Sequence, residues 1–186
     1  LRRLRRLGRH RGTRSIRGAR PVKRLLLMRH AKSDWGDETL DDHDRPLNER
    51  GRRDAPRMGR LLVERGIVPE LVACSTAVRA RETVDRLAPE AGIDVDAVVH
   101  DRSLYLAPPT ALLSVARRRA DERGDPACVM VVAHNPGMQD LASFLAGEPV
   151  RFPTAAIADC VVAIDDWADL GDPSETGVRV YRPKEL

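Results

Sequence analysis

The stretch that decides the fold is Val22-Lys23-Arg24-Leu25-Leu26-Leu27-Met28-Arg29-His30-Ala31-Lys32-Ser33. Its four consecutive apolar residues, 25–28, predict a strand that is buried on both faces, as in a parallel sheet. The polar residues 29–33 would then lie at the carboxyl end of this strand, which is the edge where open α/β sheets bind ligands. Arg29 beside His30 at that edge indicates an anion site that contains a titratable nitrogen.

Strand and helix patterns alternate along most of the remaining chain. Further strands are predicted at residues 70–74, 95–99, 128–133, 158–164 and 178–181. Helices with apolar residues at spacings of three and four are predicted after Asn48, after Ser75 or Thr76, after Pro108 and after His134. This alternation predicts an α/β fold, a three-layer α/β/α sandwich around a mostly parallel sheet.

Local signals mark the ends of the first two helices. Asn48 is expected to cap the first helix, and Pro56 within its pattern predicts a kink or a late start. Ser75 or Thr76 is expected to cap the second helix, which Gly92 would end.

The charge is distributed unevenly. Residues 1–24 contain eleven Lys and Arg and no acid, whereas residues 25–186 contain 21 basic and 28 acidic residues, a net charge of −7. We therefore predict a basic, disordered extension over residues 1–20 and a folded domain over residues 21–186. The extension could bind RNA or anionic lipid, but an unstructured segment without a ligand is the favoured interpretation. No apolar run reaches the ~20 residues of a membrane span, so we expect no membrane partner.

The three cysteines, Cys74, Cys128 and Cys160, each lie in an apolar, strand-like run. Their odd number, scattered spacing and apolar neighbours favour reduced core thiols in a cytoplasmic protein, and no CxxC metal motif is present. A nucleophilic cysteine is the less favoured alternative.

Histidine and arginine follow three of the predicted strands. Arg29-His30 follows the first strand, Arg79 follows the second at the start of a helix, and His134 follows the strongest later strand. In a parallel sheet these strand ends share one edge, so two histidines and two arginines would converge. Guanidinium groups bind tetrahedral oxyanions through paired hydrogen bonds, and nearby helix N-termini add positive charge. The sequence therefore predicts a phosphate site.

These histidines suit covalent phosphoryl transfer. A neutral imidazole can attack phosphorus, carry the phosphoryl group and release it to water, while a second, protonated histidine would stabilise the transition state. Metal binding is the competing use, but adjacent arginines repel a cation. Asp41, Asp42 and Asp44 resemble a metal cluster, although a solvated acidic loop is the favoured interpretation. We expect neither a metal nor a cofactor.

Four segments together resemble the histidine phosphatase superfamily, also called the phosphoglycerate-mutase-like family. They are Leu27-Met28-Arg29-His30-Ala31, Arg45-Pro46-Leu47-Asn48-Glu49-Arg50-Gly51, Ser75-Thr76-Ala77-Val78-Arg79-Ala80-Arg81-Glu82-Thr83 and Ala133-His134-Asn135-Pro136-Gly137, in the order of the family. Within the superfamily the chain resembles the short SixA-type phosphohistidine phosphatases, because it has no large insertion and residues 152–158 resemble their late segment. The resemblance implies a phosphoglycerate-mutase-like fold and a phosphatase without a cofactor.

The resemblance also implies roles for individual residues. His30 would be the phosphorylated nucleophile, and Arg29, Arg79 and His134 would complete the phosphate pocket. The implied substrate-binding neighbours are Lys32, Ser33, Arg45 and Asn135.

One group that many relatives use is missing. Mutases and many phosphomonoesterases of the family protonate the leaving oxygen with a carboxylic acid. In this sequence the two corresponding positions, near Leu104-Tyr105 and at Asn135, hold no acid. An imidazole leaving group needs such an acid far less than an alkoxide, because the pKa of its conjugate acid is ~6.5. The sequence therefore favours phosphohistidine in a protein as the substrate, unless Asp34 or Asp101 supplies a proton.

Three other functions stay open. The chain could be a small-molecule phosphatase acting on sugar or nucleotide phosphates, a phosphate-binding module without turnover, or a nucleic-acid-binding protein led by its basic extension. The intact pair of His30 and His134 argues against the module. Salt-sensitive RNA binding that is lost without residues 1–20 would support the nucleic-acid interpretation, which is the less favoured one.

Overall fold

The structure is a computed structural model that describes residues 22–186, so the predicted disordered extension over residues 1–20 lies outside the described residues. The described strands are β1 (Lys23–Arg29), β2 (Leu71–Ser75), β3 (Val98–Asp101), β4 (Cys128–Ala133), β5 (Ile157–Val162) and β6 (Thr176–Tyr181). They form one mixed sheet in the order β3-β2-β4-β1-β5-β6. The pairs among β1 to β4 are parallel, and β5 runs antiparallel to both of its neighbours.

Helices cover both faces of this sheet. The helices are α1 (Glu49–Glu64), α2 (Val78–Ala91), α3 (Pro109–Arg123) and α4 (Gly137–Ala146). Leu26 and Met28 of β1 pack in a core with α1 and α2, whereas Leu25 and Leu27 pack in a second core with α3 and α4. All four side chains are fully buried, which confirms the predicted strand with two buried faces and the three-layer α/β/α sandwich.

The parallel register aligns the strand ends that carry the site. Arg29 at the end of β1 lies opposite Ala133 at the end of β4, and Cys74 of β2 lies opposite Val132. The residues that follow these three strands therefore leave the sheet at the same edge. Side-chain burial along the three strands, about 1.5–3 kcal/mol for each Leu or Val, holds this register.

The helix-end predictions are confirmed in part. The Asn48 side chain accepts a hydrogen bond from the backbone N–H of Gly51 (3.0 Å) and caps α1, and Gly92 ends α2 with a left-handed φ of 66°. The helix α1 begins at Glu49 and continues past Pro56, so of the two predicted alternatives the late start is wrong and the kink stays a prediction. Capping by Asn48 and the buried apolar stripe of α1 outweigh the single N–H that proline lacks.

Two other local predictions are wrong. The N-cap of α2 is Ala77, and neither Ser75 nor Thr76 caps the helix. The strand predicted from residue 95 begins only at Val98, because Asp94 accepts a hydrogen bond from the backbone N–H of Asp96 and stabilises a short 3₁₀ turn there. Val95, the apolar residue that suggested the strand, is exposed in this turn.

Gly51 permits a close approach between α1 and the segment after β1. A Cβ atom at this position would lie 2.3 Å from the carbonyl oxygen of Lys32. The same carbonyl accepts a hydrogen bond from the backbone N–H of Asn48 (3.0 Å), so the contact cannot open without loss of that bond. Gly51 therefore fixes the helix start against the loop that follows His30.

We predict that Gly51→Ala lowers the free energy of unfolding by about 1–3 kcal/mol, because overpacking exceeds the gain in helix propensity. Urea denaturation followed by the fluorescence of the buried Trp167 measures the change. Gly177→Ala is the matched control, since a Cβ there meets no atom within 4 Å, and it should change stability by less than ~0.5 kcal/mol. Equal effects of the two substitutions would contradict the prediction.

Candidate active site

Two histidines face each other at the carboxyl edge of the sheet. His30 directly follows β1 and is 7% exposed, and His134 directly follows β4 and is 2% exposed. Their ring centroids are 4.9 Å apart, with an angle of 51° between the ring planes. The pair lies in a cavity of about 290 Å³. The structure thus brings together two side chains that are more than a hundred positions apart in sequence.

Hydrogen bonds assign different roles to the two ring nitrogens of His30. Nδ1 is 2.7 Å from the carbonyl oxygen of Ala31, which has no proton to donate, so Nδ1 carries the proton. Nε2 therefore carries the lone pair, and it accepts a hydrogen bond from Nε of Arg79 (3.3 Å). A ring held in this tautomer presents Nε2 as its nucleophilic atom.

The predicted arginines and Asn135 line the same cavity. Arg79, on the first turn of α2, is buried. Arg29 donates from Nη1 to the carbonyl oxygen of Phe152 (3.1 Å), and Asn135 donates from Nδ2 to the same oxygen (3.0 Å). The Phe152 carbonyl, in the loop before β5, thus orients two side chains from the ends of two different strands.

Several buried polar atoms of this cavity have no hydrogen-bond partner among the described residues. They are Nε of Arg29, Nε and Nη1 of Arg45, Nδ1 of His134 and Oδ1 of Asn135. Buried polar groups are normally satisfied, so these unpaired atoms are a departure from the usual pattern. They are inaccessible to solvent and therefore do not themselves face the cavity.

Burial lowers the pKa of both histidines. Desolvation, followed by the proximity of His134, holds the pKa of His30 well below its usual value. Desolvation and the charge of Arg79 lower the pKa of His134 to about 3. His30 is therefore neutral at pH 7, as a nucleophile requires. His134 is neutral as well, and a protonated second histidine in the transition state stays a prediction. A phosphoryl dianion beside it would raise its pKa again.

Asp42 is the main departure from the sequence-based interpretation. Its carboxylate accepts hydrogen bonds from Nη2 of Arg45 (2.7 Å), Nη2 of Arg79 (2.9 Å) and the hydroxyl of Tyr105 (2.6 Å), and its backbone carbonyl accepts one from Nη1 of Arg79. The acidic loop is solvated as predicted, since Asp41, Asp42 and Asp44 are all exposed, but the Asp42 carboxylate also pairs with two arginines of the cavity. Burial alone would raise the pKa of Asp42, but the Tyr105 hydroxyl and the two arginines lower it to about 2.

The other predicted neighbours, Lys32, Ser33 and Arg45, also line the cavity. Ser33 is buried and forms an isolated bridge with Leu47, which fixes the course of the loop. The guanidinium carbon of Arg45 lies 3.4 Å from the ring centroid of Trp35. Trp35 is 67% exposed and lies at the rim, where it holds the Arg45 side chain flat.

The two carboxylates that could have supplied a proton lie outside the cavity. Asp101 is buried under Arg118 and Arg119, at 2.6 and 2.8 Å. Its pKa is about 2, because hydrogen bonds from Ser103 and Arg119 outweigh the effect of burial. Asp34 accepts a hydrogen bond from the backbone N–H of Gly36 instead.

Three further features were compared with the sequence: the cysteines, groups of possible metal ligands, and helices that could span a membrane. Cys74, Cys128 and Cys160 are buried free thiols, as predicted, and burial raises the pKa of each, that of Cys128 to about 12. Across residues 22–186, no three His, Cys, Asp or Glu side chains lie close enough to hold a metal ion. The same residues contain no helix long and apolar enough to cross a membrane.

Known proteins resemble this chain in sequence and in fold. The sequence model of the histidine phosphatase superfamily (branch 1) matches residues 25–102. A structure named as a candidate phosphohistidine phosphatase SixA, from Agrobacterium tumefaciens, has a TM-score of 0.64 and 31% identity, and the match covers 77% of this chain and 96% of that one. The chain belongs to the histidine phosphatase superfamily. Phosphatase chemistry is therefore its general class of activity.

Other known proteins are also similar to this chain. A candidate SixA from Nakamurella multipartitia has a TM-score of 0.66 at 27% identity, and the match covers 87% of this chain and 94% of that one. An uncharacterized protein of Mycobacterium tuberculosis (strain ATCC 25618 / H37Rv) is 38% identical over 154 residues, which are 77% of this chain and 91% of that protein. The SixA structure in complex with tungstate has the same fold, with a TM-score of 0.72 at 20% identity.

Sequence reasoning missed two residues of the site. The Ser75 hydroxyl is 2.8 Å from Nε2 of His134, although the sequence suggested a helix cap. Ser75 ends β2 at the same edge as the two histidines, so the argument from strand ends could have identified it. Asp42 could have been found only through its spacing of three from Arg45, because the loop around it has no periodic pattern.

We predict that His134→Gln weakens the loss of stability in acid. Below pH ~6.5 the unfolded chain takes up a proton at His134 and the folded chain does not until about pH 3, so the free energy of unfolding falls as the pH decreases. Between pH 7 and pH 5 the wild type should lose about 2 kcal/mol more than the variant. Urea unfolding at each pH measures this difference.

The exposed His100 supplies the control for this experiment. His100→Gln should leave the pH dependence of stability close to that of the wild type. If His134→Gln and the wild type lose the same stability between pH 7 and pH 5, then His134 is not held neutral in the folded protein.

We predict that Asp42→Asn increases the affinity for inorganic phosphate about fivefold, on the order of 1 kcal/mol, because it removes a negative charge bound to Arg45 and Arg79. Isothermal titration calorimetry measures the dissociation constant. Asp41→Asn, one position away and exposed, is the matched control and should change it less than twofold. Weaker phosphate binding by Asp42→Asn would mean that Asp42 chiefly orients the arginines.

Proposed function

We propose that the protein is a phosphatase that removes the phosphoryl group from phosphohistidine in a protein, through a covalent intermediate on His30. The ionisation of Asp42 carries this proposal. Asp42 is the carboxylate of the cavity, and with a pKa of about 2 it has no proton to donate at neutral pH. An alkoxide leaving group needs such a proton, whereas an imidazole leaving group does not.

The geometry supports attack by His30. Nε2 of His30 would attack phosphorus while the P–N bond of the substrate breaks; the substrate ring, protonated by solvent on its other nitrogen beforehand, would leave as neutral imidazole. Nδ1 keeps its proton and its hydrogen bond to Ala31, so the developing positive charge on the ring is stabilised. Water would then add to phosphorus, the bond to His30 would break, and inorganic phosphate would leave as a proton passes to solvent.

The remaining side chains would bind the phosphoryl oxygens. We assign Arg29, Arg79 and His134 to the transferring group, because a preorganised set of donors stabilises its charge in the transition state. We assign further substrate contacts to the side chains that line the cavity, Lys32, Ser33, Arg45 and Asn135. The position of all seven side chains around one cavity supports these assignments.

Tyr105 does not replace the missing acid. Its hydroxyl donates to the Asp42 carboxylate (2.6 Å). Burial, together with the hydrogen bond to Asp42, raises the pKa of this phenol above its usual value. A phenol with a raised pKa is a poor proton donor at neutral pH, so the argument for a good leaving group stands.

The three buried free thiols also bear on location. Reduced cysteines are typical of proteins of the cytoplasm. We include a cytoplasmic location in the proposal on this basis.

We predict that hydrolysis rates depend steeply on the leaving group. A protein carrying phosphohistidine and an aryl ester with an acidic phenol should be hydrolysed, and serine, glycerol and sugar phosphates should react at least ~10²-fold more slowly in kcat/KM, because no acid protonates their oxygen. Phosphate release on this panel measures the order. Comparable rates on sugar phosphates would overturn the substrate and leave the family unchanged.

His30→Ala is the second arm of this assay. It should abolish turnover and the acid-labile labelling of the protein by substrate phosphate, because the phosphorylated nitrogen is gone. His100→Ala, which removes an exposed histidine of β3, should retain both. Activity that survives in His30→Ala would remove the covalent mechanism.

A further inference from the structure

A second, larger cavity lies beside the active-site cavity. Its volume is about 430 Å³, and Thr154 lines both cavities. Six basic side chains line it: Arg50, Arg53, Arg57, Arg151, Arg182 and Lys184. We call it the basic cavity. Its two acidic lining residues are Asp54 and Glu185.

The basic cavity has a surplus of positive charge. Asp54 interacts with Arg50 and Arg57 at 3.7 and 4.0 Å, and Glu185 pairs with Arg182 at 3.1 Å. Its other three basic residues have no carboxylate within 4.0 Å among the described residues; they are Arg53, Arg151 and Lys184. All three are exposed. They come from α1, from the loop before β5 and from the end of the chain, so only the fold brings them together.

This concentration of positive charge contrasts with the rest of the protein. Residues 25–186 carry a net charge of −7, yet the lining of the basic cavity contains six basic and two acidic residues. Like charges at close range repel one another, so a cluster of this kind favours an anionic ligand. The charge complementarity points to a ligand rich in carboxylate or phosphate groups.

The wall between the two cavities belongs to the active site. Nη2 of Arg50 donates to Oγ1 of Thr154 (3.1 Å), which lies in the loop that also presents the Phe152 carbonyl to Arg29. The next residue of that loop, Ala155, donates its backbone N–H to the carbonyl oxygens of Arg29 and His30 (3.1 Å each). A ligand that contacts Thr154 in the basic cavity would therefore lie next to Ala155, whose backbone is hydrogen-bonded to the segment that carries His30.

The rim of the active-site cavity adds apolar contacts. Trp35 and Leu106 line this cavity and are both largely exposed. Exposed large apolar side chains beside charged groups are typical of protein-binding surfaces. A surface with apolar groups at the reaction site and a basic cavity beside it suits an extended polypeptide better than a small ester.

We propose that the basic cavity docks an Asp- and Glu-rich segment of the protein whose phosphohistidine enters the active site. The identity of the phosphorylated residue rests on the function proposed above, whereas the acidic docking segment rests on the basic cavity alone. Docking outside the reaction site would lower KM without changing kcat for the bound phosphoryl group.

Two synthetic peptides test this proposal. Both carry one phosphohistidine, flanked by glutamate in one peptide and by glutamine in the other. At low salt the wild type should show a KM at least ~10-fold lower for the glutamate peptide at similar kcat, and ~0.5 M salt should remove the difference. Arg53→Glu combined with Lys184→Glu should remove it at low salt as well.

The matched control is Arg52→Glu combined with Arg86→Glu, which makes the same change in net charge at exposed positions that do not line the basic cavity. It should retain most of the preference for the glutamate peptide. Equal KM values for the two peptides in the wild type, or equal loss in both double variants, would overturn the proposal. Pyrophosphate and an unphosphorylated glutamate peptide can also be compared as inhibitors of the wild type. If pyrophosphate inhibits more strongly, and Arg53→Glu with Lys184→Glu removes this inhibition, the cavity would be assigned to a small ligand instead.

A binding measurement separates this proposal from the proposed function. Fluorescence anisotropy of a labelled, unphosphorylated glutamate peptide reports docking without turnover. Binding that Arg53→Glu with Lys184→Glu abolishes would support the docking site even if the enzyme failed to hydrolyse phosphohistidine. Hydrolysis of phosphohistidine without any such binding would support the function and overturn the docking site.

Discussion

The burial of the Arg79 guanidinium is the constraint on which the rest of the site depends. Arg79 is 2% exposed, and a buried charge is costly unless it is paired and hydrogen-bonded. The Asp42 carboxylate and carbonyl supply the partners on one side, and Nε2 of His30 accepts from Nε on the other. The same positive charge helps to keep His134 neutral. One buried cation thus positions a carboxylate and a nucleophile and lowers the pKa of a second histidine.

Asp42 has two opposing consequences for the chemistry. Its negative charge stabilises Arg45 and Arg79 in the cavity, but the same charge competes with any phosphate for these arginines. Because its pKa is about 2, its carboxylate is ionised at neutral pH.

The sequence predicted those parts of the site that follow from periodicity and topology. Uninterrupted apolar runs located β1 and β4, and their parallel pairing placed His30 and His134 at one edge. The pairing of Asp42 with the arginines was not predicted because Asp42 lies in a loop, where side-chain partners depend on the path of the chain in three dimensions. The contact of Ser75 with His134 was not predicted either. A hydroxyl between a strand and a helix can cap the helix or contact a histidine, and only tertiary packing decides between the two.

The sequence did not predict the basic cavity, for a related reason. Its exposed cations Arg53, Arg151 and Lys184 are separated by about a hundred residues and by thirty, and each reads as an ordinary surface charge in its own segment. The net charge of the whole chain was also a poor guide, because the basic residues of 1–24 outweigh the net negative charge of the rest of the chain. Local patterns therefore predict which residues enter the core, whereas surface electrostatics depends on which segments the fold places side by side.

Chemistry and recognition are divided between the two cavities. In the function proposed above, the active-site cavity would favour a leaving group that needs no acid, and this would select a bond type rather than a particular molecule. Discrimination among molecules that share the bond must then come from contacts outside the reacting group. The basic cavity and the exposed Trp35 are positioned to make such contacts, since Thr154 joins one to the active site and Arg45 joins the other. We therefore infer that the absence of an acid in the active-site cavity and the positive charge of the basic cavity would together determine which substrate is chosen.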